Sequence, residues 1–343
     1  MNSIERVGVA IELGEPDRVP VDLHDFQVAA RVSGLPMSEV FSNGELLAEA
    51  MLTDWREFGH DMILLENGTA CSAEACGVKV HYREDSAPVA GRAILDSLAK
   101  VADLEVPDPY VTFPMCEILK ATGILAREIG DKAWICARAD QGPMDLSAEL
   151  RGMSEFMMDL ATGEEEDLIH ALLDYSRRVA TRYAYALIEC GGRSTSIGEP
   201  LAGPAMISPR HYRRYPWDHE RRMVAELNEH GIILHLHICG NTESITSDFV
   251  ATGAQVLEID HKTDAARLKA AAGDATCLLG NIDTNVLALG SAAEVDAACH
   301  EAIDICKPGG GFILGPGCAM APTTPAENIH ALVDSARKYG SYR

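Results

Sequence analysis

Ile233-Leu234-His235-Leu236-His237-Ile238-Cys239-Gly240-Asn241 is a short apolar run, interrupted by histidines and closed by a Gly-Asn turn. It reads as a β-strand buried on both faces. Side chains alternate across a strand, so His237 and Cys239 project from the same face. A neutral imidazole and a thiolate so placed can close on one metal ion, and that donor pair favours zinc. A third ligand must come from elsewhere. Cys318, in Gly315-Pro-Gly-Cys-Ala-Met-Ala-Pro, is the leading candidate, because a glycine-rich turn leaves its thiol unobstructed. The bland alternative is that these are core residues, since buried histidine and cysteine are common. His235 shares the face one step further in and reads as a hydrogen-bonded interior histidine.

Working outward, similar strand-like runs recur near residues 19–23, 61–66, 134–139, 194–198, 232–238, 255–260, 276–281 and 311–314. Helix signals separate them. Ser208-Pro209 reads as an N-cap with proline at the first helical position, opening a helix through Trp217 towards Glu229. Thr324-Pro325-Ala326-Glu327 reads as a capping box opening a helix that ends at Gly340. Strands alternating with helices predict an α/β fold, a (β/α)8 TIM barrel with an N-terminal helical extension, as a single domain over residues 1–343. A doubly wound open sheet is the alternative.

A barrel collects its catalytic groups at the C-terminal ends of its strands. His237 and Cys239 close one strand and Cys318 follows another. Glu66, Asp140, Glu199, Asp260 and Asn281 also stand at strand ends, with His24 and Asp25 after the first strand. Glu66, Asp140 and Glu199 are the candidates for positioning substrate or taking up a proton. Asn281 and His24 are the candidates for binding a cofactor or an anionic tail; for Asn281 the alternative is simple satisfaction of a turn. The fourth metal position stays open among Glu258, Asp260, His261, water and substrate, because a catalytic zinc keeps one exchangeable site.

The composition bounds the partners. The net charge is -23, from 29 basic and 52 acidic residues, and argues against nucleic acid, which calls for a basic surface. No apolar run approaches the ~20 residues that span a bilayer, and Met1-Asn-Ser-Ile-Glu-Arg lacks a secretory signature, so a cytoplasmic protein without a membrane partner is expected. Ten cysteines then read as reduced thiols. Cys71 and Cys76 form a C-x4-C pair without the matching second pair of a structural zinc site. No G-x-G-x-x-G follows a strand, and no P-loop or Gly-x-Ser-x-Gly elbow occurs.

Further segments carry a resemblance. They are Pro16-Asp-Arg-Val-Pro, Ala73-Glu-Ala-Cys-Gly-Val-Lys-Val, Gly142-Pro143 leading to Leu150-Arg-Gly, Glu199-Pro-Leu-Ala-Gly, Ile207-Ser-Pro-x-x-Tyr, Gly280-Asn-Ile-Asp and Thr324-Pro-x-Glu-Asn. With His237-Ile-Cys-Gly-Asn and Gly317-Cys, the chain resembles the uroporphyrinogen decarboxylase superfamily. Within it, the H-x-C followed at long distance by a cysteine resembles the zinc-dependent methylcobamide:coenzyme M (thiol) methyltransferases. The resemblance implies a barrel that moves a methyl group from a methylcobamide, carried by a corrinoid-binding partner protein, to a small thiol such as coenzyme M.

Two departures matter. The decarboxylases hold porphyrinogen carboxylates with an Arg-Gln-Ala-Gly-Arg segment, whereas residues 22–31 here lack the paired arginines. The superfamily's aspartate after the fourth strand appears as Glu199. Three competing functions follow: a decarboxylase-type lyase, a methyltransferase loading cob(I)alamin from a methoxy or methylamine donor, and a tetrapyrrole-binding protein without turnover.

Overall fold

Seven strands pair in one parallel sheet, in the order β1-β4-β5-β6-β7-β8-β9. They are β1 Met62–Leu65, β4 Trp134–Gln141, β5 Ser194–Gly198, β6 Leu234–Ile238, β7 Val256–Ile259, β8 Cys277–Ile282 and β9 Phe312–Pro316. The structure is a computed structural model and describes residues 1–342. The expected first strand, residues 19–23, is reduced to two parallel bridges, Val21 to Leu314 and Asp22 to Met62. Pro20 has no N–H to give a ladder, which keeps this segment short. It still joins both edges of the sheet: Asp22 N donates to Leu314 O at 2.9 Å and Met62 N to Val21 O at 3.0 Å. The ring therefore closes through its eighth position. A separate antiparallel pair, β2 Val80–His81 with β3 Val89–Ala90, stands beyond β1.

The barrel is filled in layers. At the N-terminal end Met62, Leu64, Trp134, Val256, Leu279 and Ile313 pack against Val7, Ala10 and Ile11 of the first helix, Ser3–Ile11. That helix is the N-terminal extension, and it plugs the bottom of the ring. Outside, the remaining helices bury the other strand faces in one continuous apolar shell, as buried parallel sheets require. The middle layer is polar. Arg138, Ser196, His235 and Glu258 all lie there, each buried.

Two local expectations change. The helix opened by Ser208 ends at Arg214, and a second runs Pro216–Glu229. Pro216 cannot donate to the preceding turn, so the helix breaks there. Thr324 does not form the capping box. Pro325 holds the N-cap position of the helix Ala326–Tyr339, and the Thr324 hydroxyl donates to Ala321 O at 2.8 Å instead. All ten cysteines are unpaired. Among the described residues, no helix is long and apolar enough to cross a membrane.

Candidate metal centre at the barrel mouth

The register of β5, β6 and β7 puts Gly198, His237 and Glu258 side by side. Gly198 leaves room there, because a Cβ on it would meet Arg138 Nη2 and Gln141 Oε1. His237 Nδ1 lies 3.1 Å from the backbone carbonyl of Glu258. A carbonyl only accepts, so Nδ1 carries the hydrogen and Nε2 presents its lone pair to the mouth in the neutral ring. Such a contact is what usually orients a metal-binding histidine. Two residues on, Cys239 Sγ stands 2.9 Å from that Nε2, and Cys318 Sγ stands 3.9 Å from Cys239 Sγ. The three ligand atoms lie within 4.8 Å of one another, and theirs is the one such group of three or more among the described residues.

These distances fit a shared ion better than a bond between the sulfurs. A disulfide needs about 2.05 Å, whereas two thiolates at ~2.3 Å on a tetrahedral zinc stand roughly 3.8 Å apart. The electrostatics point the same way. Cys239 and Cys318 cannot both ionise without opposite charge: their contact holds Cys318 far down, at about 2, and pushes Cys239 up. A divalent cation would let both be thiolates. The residues fit zinc.

His24, Glu66 and Arg138 line the mouth beside the cluster, together with Gln141 and Phe26, around a cavity of about 190 Å³. Arg138 Nε lies 2.9 Å from Glu66 Oε2, and Nη1 lies 3.5 Å from Glu258 Oε2. Ser196 donates to Glu258 Oε1 at 2.6 Å. His24 Nε2 is 3.2 Å from Glu66 Oε1. Burial alone would lower His24, but the Glu66 carboxylate holds it up at about 9. His235 lies in the same network, fully enclosed and pushed down to about 4 by burial.

The other expected residues go elsewhere. Glu199 is fully buried, and its carboxylate accepts from Met144 N and Asp145 N at 3.0 Å. It caps the helix Pro143–Arg151 and does not line the mouth cavity. Asp140 turns back to accept from Ser72 N at 2.6 Å, and burial raises it to about 6. Asn281 lines a different cavity, with His261, Asp264 and Glu301. Asp260 accepts from Gly240 N at 2.8 Å and shapes the turn that presents Cys239. His261 pairs with Asp260 and Asp283. Neither they nor Glu258 join the three-ligand group. Arg138 is the residue that sequence reasoning missed, and a charge inside the run Trp134-Ile-Cys-Ala-Arg-Ala was the available signal.

A closed parallel barrel with a His-Cys-Cys cluster at its C-terminal mouth has the layout of an enzyme site. The uroporphyrinogen decarboxylase (URO-D) family model matches residues 2–339, and the chain belongs to that family. It is 29% identical over 313 residues to the methylcobamide:CoM methyltransferase MtaA of Methanosarcina barkeri, covering 89% of this chain and 88% of that one. It is 28% identical to a uroporphyrinogen decarboxylase of Thermus thermophilus over 307 residues, covering 87% of this chain and 85% of the other. A solved methyltransferase from Methanosarcina mazei superposes with a TM-score of 0.90 at 26% identity, over 99% of each chain. Identity barely separates the two activities, so the site must.

Proposed function

We propose that the protein is a corrinoid-dependent methyltransferase that alkylates a thiol held at the His237, Cys239 and Cys318 cluster. The observation that carries the reading is the cluster's geometry, with two sulfurs 3.9 Å apart beside an imidazole whose other nitrogen is tied to a carbonyl. Relatives named methylcobamide:CoM methyltransferase support the donor and the thiol class of acceptor. The decarboxylase reading needs cations for several carboxylates, and the mouth offers Arg138 and His24 already facing Glu66.

His237, Cys239 and Cys318 would hold zinc, which would supply the opposite charge that keeps a substrate thiol ionised at neutral pH. The residues do the rest. The Glu258 carbonyl fixes the His237 ring, and Asp260 fixes the Gly240 turn that aims Cys239. The Arg138 and Glu66 pair sets the wall against which the acceptor lies. The thiol sulfur supplies the electron pair of the new sulfur–carbon bond. The pair of the broken methyl–cobalt bond stays with the corrinoid, cobalt(III) becoming cobalt(I), and the thiol proton leaves to solvent. The donor is large and protein-borne, so the corrinoid-binding partner must dock over the barrel mouth.

The test is zinc content per chain together with loss of the methylcobalamin absorbance on adding thiols. The expected result is about one zinc per chain and thiol-dependent demethylation, both lost in a Cys239→Ser/Cys318→Ser double variant. A zinc-free protein, or unchanged zinc in that variant, overturns the centre.

A further inference from the structure

The mouth cavity adjoins a second one. It shares Thr69, Gln141 and Pro200 with a chamber of about 440 Å³ that reaches between β3 and the helix Pro143–Arg151. Val89, Ala148 and Met153 give this chamber apolar walls, and its charged lining residues are Asp145 and Glu149 alone. The Glu149 Oε2 is screened from solvent and has no hydrogen-bond partner; at the junction of the two cavities, the same holds for Gln141 Oε1. The Gln141 oxygen is an acceptor, and the Glu149 oxygen is one once its carboxyl is ionised. A buried acceptor left unpaired is costly, so a ligand that brings donors gains from this chamber.

No cation lines the chamber itself. Arg138 lies between Glu66 and Glu258, and His24 faces Glu66. Arg151 pairs with Asp159, and exposed Arg92 lines an adjoining groove that shares Ala93 and Gly152 with the chamber and also holds Asp96 and Glu155. A sulfonate or carboxylate tail entering from the cluster would therefore meet carboxyl groups with no cation on the chamber's own lining. Burial, with the charges of Asp140 and Asp145, raises Glu149 well above the usual carboxylate range. An ammonium group supplies the opposite charge that favours its ionised form.

We propose that the side chamber takes the amine end of the methyl acceptor, and that the acceptor is an aminothiol. The inference rests on the thiol-alkylation reading and narrows it: sulfur at the cluster and ammonium against Glu149.

A matched set of thiols tests it on the zinc-loaded protein: 2-aminoethanethiol and its three-carbon homologue, 2-mercaptoethanol, and 2-mercaptoethanesulfonate. Calorimetry gives their affinities, and methylcobalamin demethylation gives kcat/KM. The better aminothiol should exceed the sulfonate by about tenfold or more in both, with the alcohol between, as charge complementarity in a desolvated pocket implies. In a Glu149→Gln variant the amine's advantage over 2-mercaptoethanol should collapse, with zinc content unchanged. A preference for the sulfonate overturns the proposal. So does an amine advantage that survives in the variant, because chelation by the metal would then explain it. The expected order of affinities without demethylation supports the chamber and sinks the corrinoid donor. No binding by any of the thiols overturns the chamber.

Discussion

Arg138 shows how a single residue organises the mouth. Its guanidinium stands between Glu66 and Glu258, all three about 96% buried, and Ser196 receives one of its N–H groups at 3.1 Å. A planar fork that cannot lose its charge suits a site where two carboxyl groups lie away from water, and against that burial it helps hold Glu258 below the usual carboxylate range. Removing one partner of such a set leaves the others buried without opposite charge. Arg138→Met should therefore cost about 3–5 kcal/mol in urea unfolding, and adding Glu258→Gln should restore part of that loss. An Arg138→Met protein as stable as the parent would show that solvent reaches the network. This residue also marks where reading the sequence stopped. The cluster at His237, Cys239 and Cys318 was legible because alternation along one strand and a glycine turn each act over a few residues. Arg138, Gln141 and Glu149 were not, since their meaning comes from partners such as Glu258, which lies 120 positions from Arg138.

At the scale of elements, the end of β5 and the start of the helix Pro143–Arg151 are built as one joint. Pro143 opens the helix and Gly142 precedes it. The first helical N–H groups have no intrahelical acceptor, and Glu199 reaches over from the end of β5 to accept from Met144 and Asp145. A Cβ on Gly142 would fall 2.5 Å from Glu199 Oε1, so any larger residue there must displace that carboxylate. Glu199→Ala should cost about 1–3 kcal/mol, from the stranded donors and the lost cap, while leaving zinc content unchanged. Gly142→Ala should weaken the same joint by pushing the carboxylate aside. Loss of zinc with full stability in Glu199→Ala would instead give this residue a role at the cluster. The strands themselves were readable because each is a local apolar run with a turn after it, and their ends at Gly198 and Ile238 match the expected ones. Residues 19–23 were readable as strand-like, but not as a pair of bridges, because only the edges at Met62 and Leu314 decide that. The contacts of Glu199 were not readable for the same reason: a carboxylate at a strand end serves substrate or helix according to what packs against it.

For the whole molecule, the acidic balance of -23 is carried into the interior as well as the surface. Burial lifts Asp140 to about 6, Asp145 to about 7, Glu220 to about 8 and Asp54 to about 11. Each is protonated in the fold at a pH where the unfolded chain has already released the proton. Stability from these groups is complete below the ordinary carboxylate range and falls as pH rises through the raised values, by at most about 1.4 kcal/mol per pH unit for each group still protonated. His24, held up at about 9, acts with the same sign above the usual histidine range. His219 and His235, pushed down to about 4 by burial, act with the opposite sign and cost stability as pH falls below that range. The two sets leave a maximum on the mildly acidic side, between the carboxylate and histidine ranges. Urea unfolding at a series of pH values should show lower stability at pH 9 than at pH 6. Metal affinity also varies with pH, so the sharper measurement is a difference between two proteins with the same cluster. Asp54 is fully buried, and neither of its carboxyl oxygens has a well-formed hydrogen bond. Asp54→Asn replaces it with a group that never ionises, so the variant should gain on the parent steadily from pH 5 to pH 9, with zinc content equal throughout. A constant offset across that range would mean that Asp54 is ionised in the fold, and the interior acids would then be stabilised by solvent that the packing around them does not admit.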